Sequence, residues 1–139
     1  MEKVLYVLRR PPELATDRFA ARLLGEVGPG LGQRGAVGVQ VNVVDHHVEP
    51  GAGLRFTTDP QPPDAVVSAW MPSAVAGQRR PFDDMVGPAE AYLVTESQAI
   101  VDATTPGPDG RTPGFAQLAF LRRPERLTRT EWLDRWLDH

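Results

Sequence analysis

The 139-residue chain contains no cysteine. That excludes a disulfide framework, a thiolate nucleophile and a cysteine-ligated metal together. Histidine is scarce too, at three residues, so imidazole chemistry is confined to His46, His47 and His139. No apolar run approaches the ~18 residues of a membrane span. The run at residues 4–8 is too short for a signal peptide, and its arginines follow rather than precede it. An excess of basic charge is also missing: net charge is -3 and the pI about 5.6. Nucleic acid and anionic membrane surfaces, which select basic faces, are therefore not the expected partners. The expectation is a cytoplasmic protein.

What is present is ordinary globular material. Hydrophobic residues make up 41% and charged residues 24%, enough for one domain with a real core. The 14 prolines and 13 glycines gather in a few places, which marks loops rather than general disorder.

The chain's most informative feature is a repetition. Leu8-Arg9-Arg10-Pro11 recurs as Leu121-Arg122-Arg123-Pro124, 113 positions later. The ungapped match continues through Leu14 with Leu127, Phe19 with Trp132, Arg22 with Arg135 and Leu24 with Leu137. Seven of seventeen positions are identical. A second copy of the first structural unit is expected to begin near residue 115 and to be cut short.

Residues 3–9 read as a strand ended by Pro11-Pro12. A helix follows from Thr16, with Phe19, Leu23, Leu24 and Val27 on one stripe, and Gly28-Pro29-Gly30 is expected to stop it. Residues 36–48 form the clearest strand, since Val37, Val39, Val41 and Val43 alternate with Gly38, Gln40, Asn42 and Val44. After a turn at 49–53, residues 54–57 suit a short edge segment. Residues 65–71 suit a third strand. A second helix is expected from Pro81, through Phe82, Met85, Val86, Ala89 and Leu93. A fourth strand is expected at 98–103, a Pro/Gly-rich linker at 105–114, a repeated strand at 115–121, and a repeated helix opened by the capping box Thr128-Arg129-Thr130-Glu131.

The order is strand, helix, strand, strand, helix, strand. That is the ferredoxin-like α+β arrangement, with two helices on one face of the sheet. Domain boundaries follow: 1–104 as the first domain, 105–114 as linker, and 115–139 as the first strand and helix of a truncated repeat. Residues 114–139 are too few for a domain and should dock on the first domain, swap into another chain or lack order. The open sheet face should be covered by a second sheet. Aligning the copies suggests the faces: Leu5 and Val7 fall on Leu118 and Phe120, apolar in both, and are assigned to the helices. Val4 and Tyr6 fall on Gln117 and Ala119 and are assigned to the open face. The all-valine face of the second strand joins the helix side. Gln40 and Asn42 then project with Tyr6 between sheets, joined by Ser68 and Trp70.

An apolar strand, Leu-Arg-Arg-Pro, a short turn and a helix with an early aromatic residue resemble EthD-like domains of the dimeric α+β barrel group. Both copies carry the pattern. The resemblance implies a sheet that pairs with another, in a homodimer or pseudo-dimer, to enclose a small hydrophobic or aromatic ligand. It also implies chemistry without a cofactor, of the kind done by monooxygenases, cyclases or decarboxylases. Such domains usually carry a histidine at the end of helix one, in a His-Gly-Pro-like setting. The first copy has Glu26-Val27-Gly28-Pro29 there, without one, and the second has Asp138-His139.

The candidate ligand-binding residues are thus Tyr6, Gln40, Asn42, Ser68 and Trp70. His46, by parity with Gln40 and Asn42, is the candidate general base, with His139 as the second candidate. No metal site is expected, because adjacent residues such as His46 and His47 on a strand point to opposite faces and no third ligand has metal spacing. Arg9-Arg10 could bind a substrate carboxylate, but the favoured expectation is that one caps or pairs near helix one and the other is solvated. Arg79-Arg80 reads as a solvated loop, and Asp83-Asp84 suits a helix start. Gly28, Gly30, Gly32 and Gly35 follow a helix and precede a strand, the reverse of a nucleotide-binding loop. Trp132 and Trp136, four apart, read as core packing of the repeated helix. The competing readings are a non-catalytic dimerisation or binding module, and a piece of a tandem-repeat protein.

Overall fold

The computed structural model describes residues 1–74, 89–96 and 103–138. Four strands form one sheet: β1 (Glu2–Leu8), β2 (Gly38–Val43), β3 (Ala65–Met71) and β4 (Ala89–Val94), in the order β2-β3-β1-β4. Every neighbouring pair is antiparallel. The two central strands, β1 and β3, are almost wholly apolar, as strands buried on both faces must be.

One face of the sheet carries three registered rows. They are Val39–Ala69–Val4–Leu93, Val41–Val67–Tyr6–Ala91 and Val43–Ala65–Leu8–Ala89. Phe19, Leu23, Val27 and Leu31 pack against this face and make the core. They recur every four residues along one helical rod, so a single stripe is buried. Leu24, expected on that stripe, is exposed.

The rod does not stop at Gly28-Pro29-Gly30. It runs as α1 (Thr16–Arg22), a π-helical turn (Leu23–Val27) and α2 (Gly28–Gln33). The wide turn shifts the hydrogen-bond ladder by one residue, with the Gly28 N–H donating to the Leu23 carbonyl. Pro29 then falls in the first turn of α2, where its missing N–H costs nothing. Gly35 ends the rod instead. Its φ is +94°, and the Ala36 and Gly35 N–H groups donate to Leu31 and Gly32 carbonyls, both at 3.0 Å. This is the glycine-terminated Schellman arrangement.

Several expectations need correction. The fourth sheet strand is 89–94, so Ala89 and Leu93 belong to β4 rather than to a helix. Residues 75–88, with most of the expected second helix, Arg79-Arg80 and Asp83-Asp84, lie outside the described residues, as does nearly all of the expected strand at 98–103. Residues 55–57 and 115–121 are irregular, and Leu54 ends a 3₁₀ helix. β2 is shorter than expected, whereas β3 has the expected bounds. The faces of β1 are reversed: Val4, Tyr6 and Leu8 meet the helices, and Leu5 and Val7 lie on the open face. β1 is apolar on both sides, so its own alternation does not fix which face is which.

The β2–β3 connection is long. It holds a 3₁₀ helix (His46–Leu54) capped by the Asp45 side chain, then an irregular arc over 55–63. The segment expected to be a free linker lies along this connection. Arg111 bonds Asp45 at 2.6 Å, Phe115 sits 4.0 Å from where a Cβ on Gly51 would lie, and the Arg122 charge acts on Asp59. The last helix, α3 (Arg129–Leu137), opens with the expected capping box.

Candidate functional site

The face of the sheet away from α1 and α2 carries three rows of its own. They are Gly38–Trp70–Lys3–Val94, Gln40–Ser68–Leu5–Tyr92 and Asn42–Val66–Val7–Glu90. Successive rows are two residues apart along each strand, so the outer two are about 13 Å apart. Gln40 and Tyr92 are exposed, and Leu5, Asn42 and Trp70 are half-buried. The central strands contribute Leu5, Val7 and Val66, of which Val7 and Val66 are buried together with Ser68, the middle row is otherwise polar, and the two ends of the face are charged.

At one end Trp70 is held on three sides. Its indole N–H donates to Glu96 at 2.8 Å. Lys3 Nζ lies 4.4 Å from the ring centroid and donates to the other Glu96 oxygen at 2.7 Å. Gly38 supplies the space, since a Cβ there would come within 3.3 Å of the indole Cε3. The ring therefore lies across β2, fixed by one carboxylate that also neutralises the cation above it. Lys3 first, then the indole N–H, holds the Glu96 carboxyl below its ordinary pKa.

At the other end Arg9 joins three elements. It donates to Glu90 at 2.7 Å, to Asp59 at 3.2 Å and to the Gln61 carbonyl at 2.6 Å. The Tyr92 hydroxyl donates to the second Glu90 oxygen at 2.6 Å. Tyr92 and then Arg9 lower the Glu90 pKa, and the same hydrogen bond raises that of Tyr92. The Gln61 N–H chiefly, with Arg9 and Arg122, lowers that of Asp59. The phenol thus stays a hydrogen-bond donor and the carboxylates stay charged at neutral pH.

Of the expected ligand-binding residues, Gln40, Asn42, Ser68 and Trp70 share this open face. Tyr6 does not: it is 1% exposed and sits in the core, where burial raises its pKa and the Arg34 charge partly offsets that. His46 does not join them either. It opens the 3₁₀ helix after β2, so strand parity no longer applies. Its Nδ1 lies 3.9 Å from Asp17 in the first turn of α1, which packs on the opposite side of the sheet. The His46 and His47 rings lie side by side, 4.0 Å between centroids and tilted by 36°, rather than pointing to opposite faces. His139 lies outside the described residues. Among the described residues, no three His, Asp or Glu side chains converge as a metal would require.

The residues that sequence reasoning missed are Asp59, Glu90 and Tyr92, the partners and neighbour of Arg9. Arg9 was expected to be solvated or to cap a helix. That structural role falls to Arg10, which reaches the Leu14 carbonyl and whose N–H meets Asp64 at 2.8 Å. A signal for Arg9 existed in its parity with Lys3, Leu5 and Val7. Glu90 and Tyr92 were hidden by the helical spacing read across 81–93. No family model and no curated protein matches this chain. Chemically, the face offers the half-buried Leu5, an edge-fixed indole and a phenol ring, with charge at both ends. That is equipment for holding a flat apolar molecule with polar ends.

Proposed function

We propose that the open sheet face binds a small hydrophobic or aromatic molecule. The fold is read as ferredoxin-like, of the EthD-like kind, pairing sheet to sheet as a homodimer or pseudo-dimer. The sheet order and the antiparallel register support the ferredoxin-like part. The repeated Leu-Arg-Arg-Pro turn supports the family part. The observation that carries the binding part is the middle row, Gln40–Ser68–Leu5–Tyr92, lying between two charged ends. Trp70 and Tyr92 would flank the ligand, and Gln40 and Asn42 would meet its polar substituents.

The reading is one of binding before catalysis. A base that abstracts a proton at neutral pH needs a raised pKa if it is a carboxyl, and Glu90 and Asp59 are both lowered. If the domain is an enzyme, the reading is a cofactor-independent one, of the oxygenase, cyclase or decarboxylase kind. The second reading, a binding or dimerisation module without catalysis, fits the same lowered carboxylates.

The test is an NMR titration of the full chain with 2-naphthol. Amide shifts centred on Leu5, Ser68, Trp70 and Tyr92, and lost in Trp70→Ala, are the expected result. Shifts confined to the helix side of the sheet, or none at all at millimolar probe, would sink the proposal.

A further inference from the structure

The repeated turn carries two pairs of arginines, and the structure uses the pairs differently. Arg10 and Arg123 do the same local work. Each reaches a carbonyl four residues on, at Leu14 and Leu127, and so closes its own turn. Arg9 and Arg122, also counterparts, act away from their turns. Arg9 bonds Asp59 on the irregular arc over 55–63, and the Arg122 charge acts on the same carboxylate.

The two carboxylates on Arg9 are not equivalent. Glu90 stands on β4, and both its oxygens are held, one by Arg9 at 2.7 Å and one by the Tyr92 hydroxyl at 2.6 Å. Asp59 stands on the exposed arc. One of its oxygens takes Arg9 Nη2 at 3.2 Å, and the other accepts from the Gln61 N–H of its own turn at 2.9 Å. The longer contact, carried by a loop and open to solvent, is the one that exchanges. Replacing one carboxylate by another on the same guanidinium also preserves the local charge balance, so no unpaired charge is created. The guanidinium meets Glu90 one row from Leu5 and Tyr92, which pair across β1 and β4. That row spacing is about 7 Å, so a two-ring molecule lying against Leu5 and Tyr92 carries an acid group at its edge to Arg9.

We propose that Arg9 is the anion subsite of the open face, that Asp59 fills it in place of a ligand's acid group, and that the ligand is an aromatic carboxylate. The ring lies against Leu5 and Tyr92. The ligand carboxylate takes the Arg9 nitrogen that Asp59 now holds, in the geometry a planar guanidinium favours, and Asp59 turns out to solvent. The inference rests on the reading of the open face as a binding face. It narrows the ligand from a hydrophobic or aromatic molecule to an anionic one, and it gives the arginine that leaves its turn a task distinct from that of Arg10.

The test sets 2-naphthoate beside 2-naphthol in NMR titrations of the full chain near neutral pH, where only the first is charged. Naphthoate should bind the wild type about threefold tighter or more. The Gln61 N–H, whose acceptor is Asp59, should shift with naphthoate alone. Arg9→Gln should abolish the preference, and Arg9→Lys, which keeps the charge but not the planar fork, should retain part of it. Asp59→Asn should tighten naphthoate and not naphthol, because the competing carboxylate is gone. Each variant is scored by the ratio of the two dissociation constants, which a general loss of folded protein would not move. Naphthol bound without a preference for naphthoate overturns the inference and leaves the binding face standing. So does a preference that survives Arg9→Gln, or naphthoate weakened by Asp59→Asn. If neither probe binds at millimolar concentration, the binding face itself falls.

Discussion

Arg111 Nη2 donates to Asp45 Oδ2 at 2.6 Å, across 66 residues of sequence. The Asp45 side chain is 2% exposed and that of Arg111 32%. The other Asp45 oxygen accepts from the His47 N–H at 3.0 Å. One carboxylate therefore caps the 3₁₀ helix and anchors the segment that runs back along it.

Breaking that pair leaves a buried carboxylate with one partner fewer. Arg111→Ala should destabilise the protein by about 1–3 kcal/mol, and Arg111→Lys by less, measured by urea unfolding. Burial works to raise the Asp45 pKa, but Arg111 and the His47 N–H outweigh it and the net shift is downward from 3.8. A depressed carboxyl stabilises the fold at any pH above its unfolded value, and that contribution is lost as pH falls through the folded value. The wild type should therefore lose stability below about pH 4, and Arg111→Ala should lose less there because part of the contribution is already gone.

The reversed faces of β1 give a sharp contrast. Tyr6 is 1% exposed and its neighbour Leu5 half-buried. Tyr6→Ala should cost roughly 3–5 kcal/mol, the range for a large aromatic removed from a core. Leu5→Ala should cost about 1 kcal/mol. Equal costs, or the opposite order in chemical denaturation, would show the assignment of faces to be wrong.

Much of the fold was legible where the chain states one preference on one face. β2 announces itself because valines alternate with glycine and two amides, and its faces were assigned correctly. β3 was bounded correctly by its apolar run between a proline-rich loop and Met71-Pro72. The capping box at Thr128 specified the start of α3. β1 was legible as a strand but not in its orientation, because Val4, Leu5, Tyr6, Val7 and Leu8 satisfy either parity. The candidate site was half legible for the same reason. Gln40, Asn42, Ser68 and Trp70 were placed on the right face of the sheet, whereas Tyr6 was misplaced, and Glu90 and Tyr92 were obscured because Ala89 and Leu93 continue a helical spacing into a strand. Pro29 misled because proline stops an α-helical ladder but not one that a π turn has just re-registered.

The end of the helical rod depends on one backbone conformation. Gly35 has a φ of +94°, where an L side chain costs ~1–2 kcal/mol. Gly35→Ala should lower stability by that amount. Gly32, inside α2 and with nothing within 4 Å of where its Cβ would lie, is the control. Gly32→Ala should be neutral or stabilising by up to ~1 kcal/mol. Thermal or urea midpoints moving in opposite directions for the two variants would verify that the Schellman glycine, and not Gly28-Pro29-Gly30, closes the rod.

The charged end of the open face makes its own prediction about pH. Glu90 accepts from Tyr92 and from Arg9 on separate oxygens, and both contacts favour its charged form. Tyr92→Phe and Arg9→Ala should each raise the Glu90 pKa, read from side-chain carboxyl shifts in an NMR titration. Arg9→Ala should also raise that of Asp59, because Arg9 bridges the two carboxylates, while Tyr92→Phe should leave Asp59 nearly unmoved. The contacts lie in solvent reach, so neither change should cost more than ~1 kcal/mol of stability. A Glu90 titration indifferent to both substitutions would mean that the three side chains do not form the joined cluster on which the polar end of the binding face depends.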